Sequence, residues 1–380
     1  MAQKNKYKIG FVLDDGLDKP DGVQQYLFIL GDYFSSLGHD VHYLVGETKR
    51  TDIPNVHSIS KNMKVIFNGN RMSMPLPASR AKIKKLLDDE EFDVLHIQTP
   101  YSPFMGHKVL LSAPESTALI STFHIAPNSG LVHVGTKLLG LWLQRSLKQV
   151  DRMISVSTAA QEFSRDTFGF GSEVVPNPVD YDKFHSAKPY SKYTSKTKNI
   201  LFLGRFVPRK GAMVLLESIV ELKKRKGIPD FRVILCGKGP LQAKIESFIQ
   251  ENRLEDTVEL VGFVSEEDKP RYYASSDISV FPSTGGESFG IVLTEAMASG
   301  KAVVLGGDNA GYRSVLGVQS ELLFDTNSPK QLTDLLENYL KNPKEAKKMA
   351  KWGEEYTLQY DKKVVASRLL DIYAEVLRKK

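Results

Sequence analysis

The chain has 380 residues, which suggests two domains or three. Hydrophobic residues make up 41% and charged residues 25%, so a packed core is affordable and global disorder is excluded. The net charge of +6 suits anionic partners, whether nucleotide phosphate, acidic lipid or nucleic acid, without choosing among them. No apolar run reaches the roughly 18 residues of a membrane span. Ile9–Leu13 runs straight into Asp14-Asp15, too short for a signal-peptide core. Cys236 is the single cysteine, so no internal disulfide or multi-cysteine metal site can form. These features point to a cytosolic protein.

Lys8–Leu13 reads as a strand, and a polar loop follows to Gly22. Val23, Tyr26, Leu27, Leu30, Phe34 and Leu37 then recur at helical spacing, and Gly38 suits a left-handed helix end. Val41–Val45, Phe92–Ile97, Ala118–Phe123 and Arg152–Val156 are further strand candidates, with helical patterns between them. This alternation predicts a parallel sheet covered by helices on both faces. Val175-Pro176-Asn177-Pro178-Val179-Asp180 breaks it, because two prolines cannot continue a helix or central strand. The polar stretch Lys188–Lys198 is read as the inter-domain linker.

The alternation then restarts. Strands are expected at Asn199–Leu203, Phe231–Cys236, Val258–Val261, Ile278–Pro282, Ala302–Leu305 and Glu321–Phe324. Helices are expected at Ala212–Lys224, Leu241–Glu251, Asp268–Ala274, Ile291–Ser299, Gln331–Leu340, Lys344–Thr357 and Lys362–Leu377. The expected fold class is α/β, with two doubly wound, Rossmann-like domains facing a central cleft. The expected boundaries are 1–180 for the first domain and 181–358 for the second. Residues 359–380 are expected to form a final helix.

Ligands of open parallel sheets sit beyond the carboxyl ends of strands, near helix N-termini. Four post-strand loops carry unusual chemistry. Pro20-Asp21-Gly22-Val23-Gln24 lets backbone approach a ligand at Gly22, although an ordinary strand–helix turn looks the same. His124 closes Ser121-Thr122-Phe123-His124 and can bond a substrate hydroxyl or stabilise a cation, or serve only structure. Gly204-Arg205-Phe206-Val207-Pro208-Arg209-Lys210-Gly211 places three cations before a helix, where cations are disfavoured unless an anion is shared. That conflict suits a diphosphate held by Arg205, Lys210 and backbone N–H groups, against a solvated basic loop. Ser283–Glu295 contains Gly285-Gly286, Glu287 and a helix start at Ser288–Gly290. Its Glu287 and Glu295 are expected on roughly one side of the helix, unless both are plain surface glutamates. Gly237-Lys238-Gly239-Pro240 lacks the third glycine of a dinucleotide fingerprint, and no Gly-x-x-x-x-Gly-Lys-Ser/Thr loop occurs.

On these residues the chain resembles the retaining glycosyltransferases of family 4, which have the two-domain GT-B fold. Gly286–Glu295 fits the family's Glu-x7-Glu motif. Pro176-Asn177-Pro178-Val179-Asp180 is similar to its Pro-Asn-Gly-Val-Asp linker, with Pro178 where glycine is usual. Within the family it looks most like bacterial phosphatidylinositol mannosyltransferases, on Phe92–Ile97, Thr122-Phe123-His124, Leu201–Arg205, Gly285–Leu293 and Phe67-Asn68-Gly69. Asp21 departs from that pattern, standing at the first glycine of Gly-Gly-Val-Gln.

The resemblance implies a hexosyltransferase using a sugar nucleotide, GDP-mannose in preference to a UDP-sugar, with no cofactor and no metal. Its implied acceptor is a membrane lipid such as phosphatidylinositol; the alternative is a UDP-sugar enzyme acting on diacylglycerol or a soluble sugar. Arg205 and Lys210 are implied to bind the donor diphosphate and Gly22 to permit its approach. Glu287 is implied to contact the sugar hydroxyls. Ser288, Phe289, Gly290, Ile291 and Val292 are implied to lend amides, Glu295 to bind ribose and Val264 to lie near the base. His124 is implied to face the reaction centre, and Gln24 and Asn68 to face the acceptor. By the same resemblance residues 1–180 are the acceptor- and membrane-side domain, 181–358 the nucleotide-sugar-binding domain, and 359–380 a helix that packs back on the first domain. Under the front-face mechanism implied by the family, the leaving phosphate takes the acceptor's proton.

Arg80, Lys82, Lys84 and Lys85 interleave with Ile83, Leu86 and Leu87 as a basic amphipathic helix expected to lie on anionic membrane, against a solvated helix face. The expected location is therefore peripheral, on the cytoplasmic face of the cell membrane. A nucleic-acid-binding protein is the reading from another class. The basic residues punctuate post-strand loops instead of clustering with aromatics, which disfavours it. No nucleic acid and no protein partner are expected.

Overall fold

The computed structural model describes residues 6–18, 21–67, 70–76, 78–125, 140 and 142–380. The chain divides into two compact units. One runs to Pro178 and takes in Lys362–Lys380; the other is Val179–Asp361.

The first unit contains strands β1 (Lys8–Leu13), β2 (Asp40–Val45), β3 (Val56–Ser58), β4 (Asn62–Phe67), β5 (Asn70–Pro75), β6 (Val94–Ile97), β7 (Ala118–Phe123), β8 (Arg152–Ser155) and β9 (Glu173–Val174). Seven of them form one sheet in the order β3-β2-β1-β6-β7-β8-β9, and every pairing in it is parallel. Its helices include α1 (Gly22–Ser36), α2 (Arg80–Glu90), α3 (Gly106–Leu110) and α4 (Thr158–Phe168). The parallel strands are buried on both faces, as a sheet covered twice requires. The C-terminal helix (Lys362–Leu377) belongs to this unit. Its Ala366, Leu369, Ile372 and Tyr373 join Phe11, Tyr26, Leu30 and Phe34 in one apolar cluster. Ile83, Leu87, Leu95, Ile97 and Val109 form the cluster built with α2 and α3.

The second unit repeats the plan. Its strands are β10 (Lys198–Leu203), β11 (Phe231–Cys236), β12 (Val258–Gly262), β13 (Ile278–Phe281), β14 (Val303–Gly307) and β15 (Leu323–Phe324), in the order β12-β11-β10-β13-β14-β15, all parallel. Its helices are α5 (Tyr181–His185), α6 (Ala212–Lys223), α7 (Gln242–Glu251), α8 (Lys269–Ala274), α9 (Ile291–Ala298), α10 (Ala310–Leu316), α11 (Pro329–Lys341) and α12 (Pro343–Thr357). The C-terminal helix is α13. Strand order reverses between β1 and β6 in one sheet and between β10 and β13 in the other. Loops at such reversals diverge and leave room for a ligand.

Three expectations need correction. Lys188–Lys198 is not the linker: it lies inside the second unit, Tyr193 is buried, and Asn199 Nδ2 donates to the Tyr193 carbonyl at 2.7 Å. The strand expected over Glu321–Phe324 is only Leu323–Phe324, because a 3₁₀ segment (Gly317–Leu322) occupies the residues before it. The antiparallel pair β4–β5, with Phe67 opposite Asn70, was not anticipated.

Candidate active site

In the second unit the site grows from the two loops flanking the strand reversal. After β10, Phe206 and Val207 are buried and Pro208–Lys210 makes one 3₁₀ turn. Gly211 ends that turn at φ +72°, and a Cβ there would lie 1.9 Å from the Pro282 carbonyl oxygen, so only glycine fits. The loop after β13 is laced to this turn. Thr284 N–H donates to the Arg209 carbonyl at 2.9 Å, and Ser283 Oγ lies 3.0 Å from the same oxygen.

These bonds bring Glu287 onto the basic turn. Its Oε1 accepts from Arg209 Nη1 at 2.9 Å, Lys210 Nζ at 2.7 Å and Ser283 Oγ at 2.7 Å. Its Oε2 takes no hydrogen bond among the described residues. The carboxylate is therefore fixed by one oxygen while the other keeps its acceptor sites. Arg205 is exposed, and its guanidinium makes no ion pair among the described residues. Its charge still acts on Lys210.

Two cations thus hold one carboxylate, with Arg205 near enough to act on Lys210. Burial pushes the Glu287 carboxyl up, but Lys210 and Arg209 more than offset it, so it sits below the ordinary range. Burial lowers Lys210, and Arg209 and Arg205 lower it further against the pull of Glu287. Two cations on one carboxylate, with Arg205 beside them, leave a positive excess that suits an additional anion.

Helix α9 begins at once. Gly290 is its N-cap at φ +110°, and no side chain caps the first turn. Tyr312 Cδ1 would lie 2.7 Å from a Cβ on Gly290. The amides of Ile291 and Val292 therefore open the helix beside the Glu287 cluster, as anion binding at a helix start requires. The helix starts at Ile291, where its periodic pattern was expected to begin, so Ser288, Phe289 and Gly290 form the approach to it. Phe289 is buried.

Glu295 lies in a different setting. It is 3% exposed, with Oε1 accepting from Lys269 Nζ at 3.0 Å and Oε2 from Tyr273 Oη at 2.9 Å. Lys269 also meets Glu266 at 2.7 Å. The two glutamates are therefore not equivalent residues of one helix face. Glu287 precedes the helix and keeps one oxygen open, whereas both oxygens of Glu295 are held from α8. Val264 is half-buried in the loop after β12, beside exposed Phe263.

In the first unit His124 ends β7 and is buried. Its Nε2 is 2.9 Å from Gln98 Oε1, which can only accept, so Nε2 carries the hydrogen and Nδ1 is an acceptor. Its ring meets Tyr26 edge-on at 4.9 Å. Burial holds its pKa down at about 3, so it acts as a neutral imidazole. His96, also at about 3, is locked between Tyr373 Oη at 2.7 Å and Thr122 Oγ1 at 2.6 Å. Gln24 turns inward at the start of α1, with Nε2 donating to the Gly16 carbonyl at 3.1 Å. Gly22 is the first residue of α1 and Asp21 its N-cap, with no side-chain cap bond. Asn68 lies outside the described residues.

Helix α2 corrects one expectation. Ile83 and Leu87 are fully buried in the unit's own core, and Leu86 packs against it. The apolar face is thus not available to enter lipid. Lys84 and Lys85 pair with Asp88 and Asp89 at 3.1 and 2.5 Å. Arg80 and Lys82 are exposed and have no ion pair among the described residues. No helix among the described residues is long and apolar enough to cross a membrane.

The profile of "Glycosyltransferase Family 4" matches residues 20–183, and that of "Glycosyl transferases group 1" matches residues 187–356. The phosphatidyl-myo-inositol mannosyltransferase of Mycobacterium tuberculosis (strain ATCC 25618 / H37Rv) is 31% identical over 376 residues, covering 97% of each chain. The chain belongs to the family 4 glycosyltransferases. A second relative from the same strain is a GDP-mannose-dependent alpha-(1-6)-phosphatidylinositol monomannoside mannosyltransferase. It is 22% identical, covering 96% of this chain and 97% of its own. The crystal structure of a glycosyltransferase from Rickettsia africae ESF-5 superposes with a TM-score of 0.77 at 19% identity, covering 99% of this chain and 100% of that one. The fold is the GT-B fold of this glycosyltransferase family, and the chain is a glycosyltransferase.

Sequence reasoning chose Arg205 and Lys210 from the basic loop, whereas the structure puts Arg209 with Lys210 on Glu287. Three cations in one loop carried the signal without saying which faced the glutamate. Ser283 was missed because a serine after a strand carries no distinguishing pattern.

Proposed function

We propose that this glycosyltransferase moves mannose from GDP-mannose to a membrane lipid such as phosphatidylinositol, with retention at the anomeric carbon. The supporting observation is the Glu287 carboxylate, anchored by Arg209 and Lys210 through one oxygen and open at the other, beside the uncapped start of α9. The names of the two mycobacterial relatives support mannose and the inositol lipid.

In this reading the bond between the anomeric carbon and the phosphate oxygen breaks, and its electron pair leaves with the nucleoside diphosphate. The acceptor hydroxyl oxygen bonds to the same face of that carbon. Its proton goes to the leaving phosphate oxygen. The transition state places positive charge on the sugar and growing negative charge on the phosphate. Lys210, Arg209, Arg205 and the first amides of α9 stabilise the phosphate, which is the main catalytic task. Glu287 Oε2 accepts from sugar hydroxyls. Neutral His124 offers Nδ1 to the sugar without adding a repelling charge. Ribose hydroxyls take the acceptor sites left on Glu295, and the base lies by Val264. Gly22 lets backbone approach the donor diphosphate, and Gln24 and Asn68 serve the acceptor side. Arg80 and Lys82, with Lys84 and Lys85 in a lesser role, meet anionic lipid through charge alone.

The test is a panel of GDP- and UDP-sugars, each offered with phosphatidylinositol, diacylglycerol or a soluble sugar. GDP-mannose with phosphatidylinositol is expected to give the fastest turnover. Faster turnover of a UDP-sugar would overturn the donor assignment, and a preference for a soluble acceptor would overturn the lipid.

A further inference from the structure

We infer that the first unit holds a divalent transition-metal site, best suited to Zn²⁺, formed by His42, His57 and Glu90. The three residues come from β2, from the edge strand β3 and from the last turn of α2, so no sequence spacing reveals them. Their ligand atoms lie within 4.8 Å of one another. His42 Nδ1 is 2.8 Å from His57 Nε2, and the two rings stack at 5.1 Å. Glu90 Oε2 is 3.8 Å from His42 Nδ1, and Oε1 is 3.8 Å from His57 Nε2.

These spacings bracket what a tetrahedral ion needs. Zn–N bonds of about 2.0–2.1 Å put neighbouring ligand atoms roughly 3.3 Å apart. The two nitrogens need to open by about half an ångström and Glu90 Oε1 to close on both of them, by about as much toward His57, through side-chain rotation. Two imidazoles with one carboxylate form the mixed nitrogen and oxygen set that suits zinc, with water completing the tetrahedron.

The surroundings fit as well. His42 is 6% exposed, and its other nitrogen, Nε2, is 3.2 Å from Asp40 Oδ1. A hydrogen on Nε2 donated to Asp40 leaves the Nδ1 lone pair aimed at His57 and Glu90. This is the carboxylate–histidine arrangement that orients metal-binding imidazoles. Asn55 Nδ2 holds Asp40 Oδ1 at 3.2 Å. Without metal, His57 Nε2–H donates to His42 Nδ1; on binding, the hydrogen moves to His57 Nδ1 and Nε2 becomes a ligand. Lys8 opposes the ion, since its Nζ sits 2.6 Å from Glu90 Oε2. The ion takes Oε1 while Lys8 keeps Oε2 or swings into solvent. Helix α2 gains from the ion, because Asp88, Asp89 and Glu90 crowd negative charge at its C-terminal end, where the helix dipole opposes it.

The test uses the full chain without an added histidine tag, stripped with a chelator and titrated with Zn²⁺ by calorimetry and with Co²⁺ by visible absorption. Wild type is expected to bind one equivalent, to show the d–d bands of tetrahedral Co²⁺, and to melt at higher temperature with Zn²⁺. His57→Gln and Glu90→Gln are each expected to weaken binding more than tenfold while keeping wild-type circular dichroism. Asp40→Asn is expected to weaken it about tenfold. Lys8→Met is expected to tighten it. Absence of saturable binding by wild type overturns the inference, as does wild-type affinity in His57→Gln.

Discussion

Replacing Glu287 by Gln separates the two tasks assigned to this residue. Glutamine keeps an oxygen toward Ser283, Arg209 and Lys210, so the cluster retains its shape. Two charge-assisted bonds, 2.9 and 2.7 Å long, become bonds to a neutral acceptor. Each loses about 1 kcal/mol, so the unit loses about 2 kcal/mol of stability. At Oε2 the charged contact to a sugar hydroxyl, worth roughly 1.5–3 kcal/mol, is lost from the transition state. Transfer falls by about tenfold to one hundred and fifty-fold. Phosphate binding behaves oppositely. Arg209 and Lys210 then face no carboxylate, so the local positive excess grows. GDP binding by calorimetry should stay equal or tighten while mannose transfer to vesicles drops. Transfer within threefold of wild type refutes the sugar contact. GDP affinity that falls in step with transfer refutes the division of roles, leaving Glu287 only a structural anchor for the cations.

Lys210→Met and Arg209→Met are each expected to weaken GDP binding by about tenfold or more, one charge-assisted contact apiece, with a smaller effect for exposed Arg205→Ala; unchanged affinity in both would contradict the diphosphate role. His96 and His124 drop from 6.5 unfolded to about 3 folded, so their contribution is full above pH 6.5 and lost as pH falls toward 3. Asp14, raised by burial from 3.8 to about 6, acts in the opposite sense: its contribution is present below 3.8 and lost as pH rises through 6. Two protons against one leave a net loss of stability on going from about pH 6 to 4, and His57 and His107, also held down by burial, and Glu287 add to it. Urea melts should show this slope, flattened in His124→Gln; stability that rises on acidification would contradict it. Because Lys84 and Lys85 already pair with Asp88 and Asp89, Arg80→Ser with Lys82→Ser should remove most co-sedimentation with anionic vesicles at low salt. Equal binding by this double variant and wild type would remove α2 from the membrane account.

The parts of this molecule written in local pattern were legible from sequence. Periodic leucines and aromatics marked α1, and Gly38 ends its turn at φ +87°. The helix over Lys362–Leu377 was read with its observed bounds. The post-strand rule found both loops of the Glu287 cluster. What escaped depends on partners distant in the chain. Glu295 meets Lys269 and Tyr273 on another helix, and nothing in the Glu-x7-Glu spacing contains those partners. The α2 pattern is the same whether Ile83 and Leu87 face lipid or core, and only the sheet beneath decides. The β4–β5 pair did carry a local signal, Asn68-Gly69 between alternating residues, but a parallel-sheet reading directed attention elsewhere. His42, His57 and Glu90 meet through β2–β3 pairing and the end of α2, where no periodicity points.

The most direct test of the central claim is organic-phase capture of labelled sugar. The protein is incubated with radiolabelled GDP-mannose and vesicles, with or without phosphatidylinositol, and the lipid product is extracted and its anomeric linkage read by NMR. Label entering the lipid phase only with phosphatidylinositol present, in an α-linkage, is the result expected of a retaining lipid mannosyltransferase. Label remaining in water with intact donor, or a β-linked product, would contradict it.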